Sequence, residues 1–230
     1  MKVPMTRHIK RIVKTGFLLG AAFAVFTALL VLSLRWINPP SSMVIQHWEW
    51  QSERKAQHRW RSLDQISTNL QIAVIASEDQ KFPSHIGFDF SALQKALSEN
   101  RKRTRGASTI TQQTAKNLFL WNGRSYVRKG LEAWFTLLME TLWSKERILE
   151  VYLNIAEFGE GIYGAEAAAR SHFGKSAQHL NRWQSGLLAA VLPSPKRMSA
   201  KYPSDYVQGR AYTINRQAQQ LGGAGYLKTL

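Results

Sequence analysis

The chain has 230 residues, 31 of them Lys or Arg and 15 Asp or Glu, for a formal net charge of +16. It has no cysteine, which excludes disulfides and thiolate metal sites and leaves the redox compartment unread. So basic a chain needs an anionic partner (nucleic acid, an anionic membrane surface or a phosphorylated substrate), and the length leaves room for one domain with a real core beside a membrane segment.

Lys2, Arg7, Lys10, Arg11 and Lys14 form a basic tail, 1–14, with no acid among them. Gly16 to Leu34 follows without a charge, and at about 1.5 Å per residue it nearly spans a hydrocarbon core of about 30 Å. Residues 15–36 are read as a single-pass signal anchor, because the apolar run is long and no A-x-A cleavage site follows it. The positive-inside rule leaves the tail in the cytoplasm and puts everything after Trp36 across the inner membrane. An exported domain rarely meets DNA, so no nucleic-acid partner is expected; a membrane surface or lipid phosphate fits the charge better.

Asn38-Pro39-Pro40-Ser41-Ser42 signals a linker. Residues 37–62 are read as a juxtamembrane connector whose Trp-, Arg- and His-rich part, Trp48 to Arg61, either lies along headgroups or is solvated. From Leu63 to the end, 63–230, the pattern is that of one mostly α domain, with almost no alternating run long enough for a strand. Helices are expected at 66–79, 90–100, 109–120, 128–142, 145–154, 163–173, 183–192 and 206–221.

Glu78 and Asp79 end the first of these, an otherwise apolar helix, just before Phe82-Pro83. Acids at a helix C-terminus oppose the macrodipole, so local stability does not explain them. A carboxylate beside an apolar wall has a raised pKa and suits general acid or base work; the alternative is a turn in water. His85-x-Gly87-x-Asp89 reads as a clamp, a histidine held by a nearby carboxylate with Gly for a tight turn, and a metal site of His85, Asp89 and Asp79 has no standard spacing.

Thr109-x-x-Gln112 has the capping-box pattern, so the next helix starts near Thr109. At about 100° per residue, Ile110, Thr114, Ala115 and Leu118 share one side and Thr109, Gln112, Gln113 and Lys116 the other. That second face is mostly uncharged amides and hydroxyls, which suits a sugar or phosphate, or else a polar seam between packed helices. Arg128-Lys129 opens a later helix, where the dipole repels cations unless an anion sits there. Arg128 and Glu132 are also placed for an i,i+4 ion pair. Lys145-Glu146-Arg147 and Glu150 read as a solvated face, Asn154 as the cap ending that helix, and Gly159, Gly161 and Gly164 as a glycine-rich turn.

In order, Glu78-Asp79-x-x-Phe82-x-x-His85-x-Gly87-x-Asp89, Gly106-Ala107-Ser108-Thr109-Ile110-Thr111-Gln112-Gln113-x-x-Lys116-Asn117, Arg128-Lys129-x-x-Glu132 and Lys145-x-x-Ile148-Leu149-Glu150-x-Tyr152-Leu153-Asn154 resemble the motifs of the peptidoglycan glycosyltransferases, family 51. The resemblance runs from about Leu63 to Pro195. It is to the monofunctional members, since no room for a transpeptidase domain is expected after it; Ala107 departs from the second Gly of many members. It implies a lysozyme-like helical glycosyltransferase domain with a smaller membrane-associated lobe, preceded by the transmembrane helix. The implied substrates are lipid II and the nascent glycan strand, with cell-wall elongation or division proteins as further partners.

The implied reaction joins sugars with inversion at C1, to a β-1,4-linked glycan, and releases undecaprenyl pyrophosphate. Glu78 would be the base and Glu132 the second catalytic carboxylate, orienting cations, holding a divalent ion (Mg or Mn) on the pyrophosphate, or tuning Glu78. No tightly bound cofactor is implied. Lys116, Arg128 and Lys129 would meet the pyrophosphate, and Asp79, Phe82, His85, Ser108, Thr109, Gln112, Gln113 and Asn117 complete the substrate-binding set. With Glu78 upstream and cations downstream, the polar face becomes the wall of a cleft. Two other classes predict differently. A lytic transglycosylase or muramidase would cleave finished peptidoglycan without needing these cations, and a non-catalytic scaffold would tolerate loss of both Glu78 and Glu132.

Overall fold

The structure is a computed structural model and describes residues 7–91, 94, 108–123 and 125–230. The expected helix at 90–100 and the Gly106-Ala107 turn lie outside the described residues, apart from Phe90, Ser91 and residue 94. The chain divides into two compact units, 1–38 and 39–230.

The first unit is one helix, α1 (Arg7–Ser33). Its 24 residues Lys10–Ser33 are long and apolar enough to cross a membrane, spanning roughly 36 Å at the α-helical rise. Phe17 and Leu19 stand 75% and 67% exposed, a cost in water and none in lipid. The polar groups of this stretch are satisfied internally: Thr27 donates to the Phe23 carbonyl at 2.9 Å and Ser33 to that of Leu30 at 2.8 Å.

The second unit is mostly helical, as expected. It starts earlier than the sequence suggests. The stretch read as a connector contains α2 (Met43–Ser52), capped by the Ser42 hydroxyl, and strand β1 (Gln57–His58). Strand β1 pairs in parallel with β3 (Ile162–Tyr163), which pairs antiparallel with β2 (Glu157–Gly159), in the order β1-β3-β2. Strands this short leave no period to read, and β1 lies over a hundred residues from its partner β3. Tyr163, expected in a helix, lies in β3, and α7 (Ala165–Phe173) starts after Gly164. Gly164 has φ +84°, and a Cβ there would sit 2.5 Å from the Asn154 carbonyl oxygen, so the turn needs glycine.

Helix α3 (Thr68–Glu78) is buried from Leu70 to Ala76 and packs against α8 (Arg182–Val191) and α9 (Asp205–Gln220). Helix α4 (Ile110–Phe119) packs against α5 (Tyr126–Leu142) and α6 (Lys145–Ile155). Phe119 on α4 stacks on Phe135 of α5, with centroids 4.3 Å apart.

Two readings of α6 change. The supposed solvated face is tied into the fold. Lys145 donates to the His85 carbonyl at 2.7 Å and to Glu140 at 2.8 Å, Arg147 pairs with Glu150, and Glu150 accepts from the Leu63 N–H. Asn154 does not cap its helix. Its side chain is fully buried and holds Arg61 on both sides, accepting from its N–H and donating to its carbonyl at 2.8 Å each. Buried Glu166 closes the same region by accepting from Arg61, Arg170 and the Ala177 N–H. Burial works against its ionised form, yet these three donors hold the carboxyl down at about 2.

Candidate active site

Glu78 is the last residue of α3, and the chain leaves the helix at Asp79, whose φ of −163° and ψ of 74° are non-helical. The Asp79 carboxylate is buried, with one oxygen 2.9 Å from His85 Nε2 and the other accepting from the Ile110 N–H at 2.9 Å. It therefore fixes the first turn of α4, where helix N–H groups have no intrahelical partner. The Gly87 N–H donates to His85 Nδ1, so the ring hydrogen lies on Nε2, facing Asp79. Gly87 has φ +78° and its carbonyl accepts from the Thr109 hydroxyl at 2.7 Å. A clamp exists, but the carboxylate that holds His85 is Asp79 and not Asp89, whose Oδ1 instead accepts from the Ser91 hydroxyl at 2.6 Å; it locks the residues after Glu78 onto α4.

That geometry gives partners within the protein to several residues assigned to substrate. The polar atoms of Asp79, His85 and Thr109 are engaged with one another or with backbone, and Phe82 is fully buried under the Lys145 ammonium. Gln112 is 6% exposed and closes the capping box, its Oε1 accepting from the Thr109 N–H. These residues build the site; the polar face of α4 is a seam at this end. No group of three or more His, Asp or Glu able to hold a metal occurs among the described residues, so His85, Asp89 and Asp79 form no such centre.

The next residue of α4 is turned differently. Gln113 Nε2 donates to Glu78 Oε2 at 2.9 Å, and its Oε1 accepts from the buried Tyr152 hydroxyl at 3.2 Å. Because Tyr152 donates to the amide oxygen, the amide nitrogen must face Glu78. Burial pushes the Tyr152 phenol well above its usual range, with Glu78 and Asp79 adding to the shift, so it remains a donor. Burial raises the Glu78 carboxyl, while hydrogen bonds from Gln113 and Ser77 and the charge of Arg210 pull the other way and Asp79 adds to the rise. A carboxylate held above its usual range yet supplied with donors is suited to taking a proton near neutral pH.

One turn on from Gln113, Lys116 lies within electrostatic reach of Glu132, Arg128 and Lys129. Glu132 on α5 is 3% exposed; Arg128 Nη1 meets its Oε2 at 2.7 Å and Lys129 meets its Oε1. Arg128 is anchored again through Nε to the Gly123 carbonyl at 2.7 Å. The Lys116 ammonium has no hydrogen bond or ion pair among the described residues. Burial lowers its pKa, Glu132 opposes this, and Arg128 and Lys129 lower it further. Ser108 is exposed, and Asn117 is partly buried one position beyond Lys116. Helix α4 therefore reaches Glu78 of α3 through Gln113 and the charges of α5 through Lys116, three residues, or roughly 5 Å along the axis, further on.

Two participants were not legible in the sequence. Tyr152 reads as an ordinary core aromatic of α6. Arg210 sits on α9, whose packing on α3 brings its charge to Glu78, and its Nε is buried without a hydrogen-bond partner.

The Transglycosylase family model matches residues 43–219. The chain is 56% identical over 214 residues to a biosynthetic peptidoglycan transglycosylase of Xanthomonas campestris pv. campestris (strain B100), covering 90% of this chain and 87% of that protein. A protein of the same description from Pseudomonas fluorescens is 56% identical over 215 residues, covering 90% of each. One from Shewanella oneidensis is 52% identical over 229 residues, covering 94% of this chain and 95% of its own.

Proposed function

The chain belongs to the transglycosylase family and is a glycosyltransferase of peptidoglycan synthesis, and from that premise we propose that it polymerises lipid II into β-1,4-linked glycan. Glu78 takes the proton from the 4-hydroxyl of one sugar as that oxygen attacks C1 of the other. The C1–pyrophosphate bond breaks on the opposite face, which inverts the anomeric centre and releases undecaprenyl pyrophosphate. The observation that carries this reading is a donor-supplied carboxylate, Glu78, held by Gln113, and one turn further along α4 a cation, Lys116, whose ammonium has no partner among the described residues.

The leaving group is already good, so a second carboxylic acid is dispensable and the chemistry needs cations instead. Lys116 meets the pyrophosphate first, with Lys129 beside it. Glu132 aims Arg128 and Lys129, the role best supported among the three open to it, because both its oxygens are engaged by those side chains. The same engagement leaves it poorly placed to hold a divalent cation, so no step is assigned to one. Ser108 and Asn117 offer the remaining open polar groups to sugar or phosphate oxygens. The apolar α1 supports a single-pass anchor in the inner membrane, with the basic tail cytoplasmic and the catalytic unit periplasmic. Relatives matched over 87% to 95% of their own length are named for biosynthetic transglycosylation, which supports the polymerising activity. Protein partners in elongation or division would reach the enzyme at that membrane.

Purified protein incubated with labelled lipid II and a divalent cation should yield glycan chains that lysozyme digests. Cleavage of finished peptidoglycan with no product from lipid II would overturn the reading. Arg210 supplies a pH test. Its charge lowers the Glu78 pKa; in Arg210→Met that help is gone, the carboxyl rises further, and the acidic limb of kcat/KM should move to higher pH. An unmoved limb would remove Arg210 from the site.

A further inference from the structure

The residues after α9 turn back over the end of α3. Gly222 and Gly223, with φ of +105° and +60°, reverse the chain into a 3-10 turn, Gly223–Thr229. Leu221, Tyr226 and Leu227 pack against Ile72, Ala76 and Ala218, so two of the three buried residues beneath them belong to α3 itself. From that seat the Tyr226 hydroxyl donates to the Gln80 carbonyl at 2.7 Å. Gln80 in turn donates through Nε2 to the Ala76 carbonyl at 3.0 Å, and the Asp79 N–H donates to that of Ile75 at 2.9 Å. The Ile75 and Ala76 carbonyls near the end of α3 and the Gln80 carbonyl just beyond it are thereby satisfied, on either side of Glu78. Burial first, and the Asp79 carboxylate second, push the Tyr226 phenol above its usual range, which keeps it a donor. All of these strap residues lie beyond the 43–219 matched by the family model.

We propose that this C-terminal strap positions the base: Tyr226, by holding the Gln80 carbonyl, fixes the turn from which the Glu78 carboxylate reaches the acceptor hydroxyl. Tyr226 touches neither substrate nor reacting atoms and acts as a positioning residue. The inference rests on Glu78 being the base. Its contribution to the folded state is small, that of one exposed hydrogen bond, and larger in the transition state, where small misplacements of a catalytic group are costly.

Tyr226→Phe removes one oxygen and keeps the packing. In steady-state assays of the full chain with lipid II, kcat should fall roughly 3- to 10-fold while KM stays within about 2-fold and Tm within about 2 °C. Amide hydrogen exchange at residues 79–82 should quicken while exchange in α6 is unchanged. Wild-type kcat in Tyr226→Phe, or a loss of kcat that only follows a fall in Tm, would overturn the strap. Glu78→Gln run alongside separates the two ideas. If it is inactive while Tyr226→Phe is normal, the strap alone fails; if it stays active, the base assignment beneath it fails.

Discussion

Glu78→Gln is expected to lose at least about 10³-fold in the rate of lipid II polymerisation while the protein folds and melts as the wild type does. The fold should be indifferent because the substitution is nearly isosteric and the Gln113 amide still finds a carbonyl oxygen at position 78. Removing a charge that burial disfavours also relieves the folded state, so Tm should hold or rise slightly. The rate should collapse because an amide takes no proton from a sugar hydroxyl. The rest of the site, the Tyr152–Gln113 relay and the cations around Glu132, remains and can bind lipid II without turning it over. Single-turnover polymerisation read beside thermal unfolding checks both halves. A rate within 10-fold of wild type would mean that another group, or solvent alone, accepts the proton.

Much of this site is legible in sequence wherever its parts are close along the chain. Thr109 and Gln112 are three residues apart and form the box their spacing announces. His85 and Gly87 form a clamp of the kind their spacing announces, although its carboxylate is Asp79 rather than Asp89. Arg128, Lys129 and Glu132 occupy adjacent turns of one helix. What stays hidden depends on distant packing. Gln112 and Gln113 look alike in sequence, yet one turns back to cap its own helix and the other reaches Glu78, because α6 places Tyr152 on one side of α4 only. Arg210 brings its charge to Glu78 and Tyr226 its hydroxyl to Gln80 because α9 and its tail pack along α3, which no local pattern announces. Lys145 and Glu150 misread as solvated because their charges suit a surface; their partners, the His85 carbonyl and the Leu63 N–H, are backbone groups of remote loops.

Lys116 carries the second large effect. Its ammonium is partly buried, has no partner among the described residues and faces two other cations, so both burial and like charge disfavour it in the free enzyme. Glu132 offsets this only in part, since its oxygens already serve Arg128 and Lys129. A pyrophosphate reverses the balance, and the developing negative charge of the departing group strengthens it further, so the interaction favours the transition state over the resting enzyme. Lys116→Met should therefore cut kcat/KM by about 10²- to 10³-fold, an effect of the size seen when one transition-state donor is lost. The same substitution should leave the Tm of the free enzyme unchanged or higher, because an unpaired and repelled charge is replaced by an apolar chain of similar length. The opposite signs make the test sharp. A protein that loses activity and stability together would show Lys116 to be a structural tie, and one that keeps its activity would leave the pyrophosphate to Arg128 and Lys129. Only loss of rate without loss of stability fits a cation whose partner arrives with the substrate.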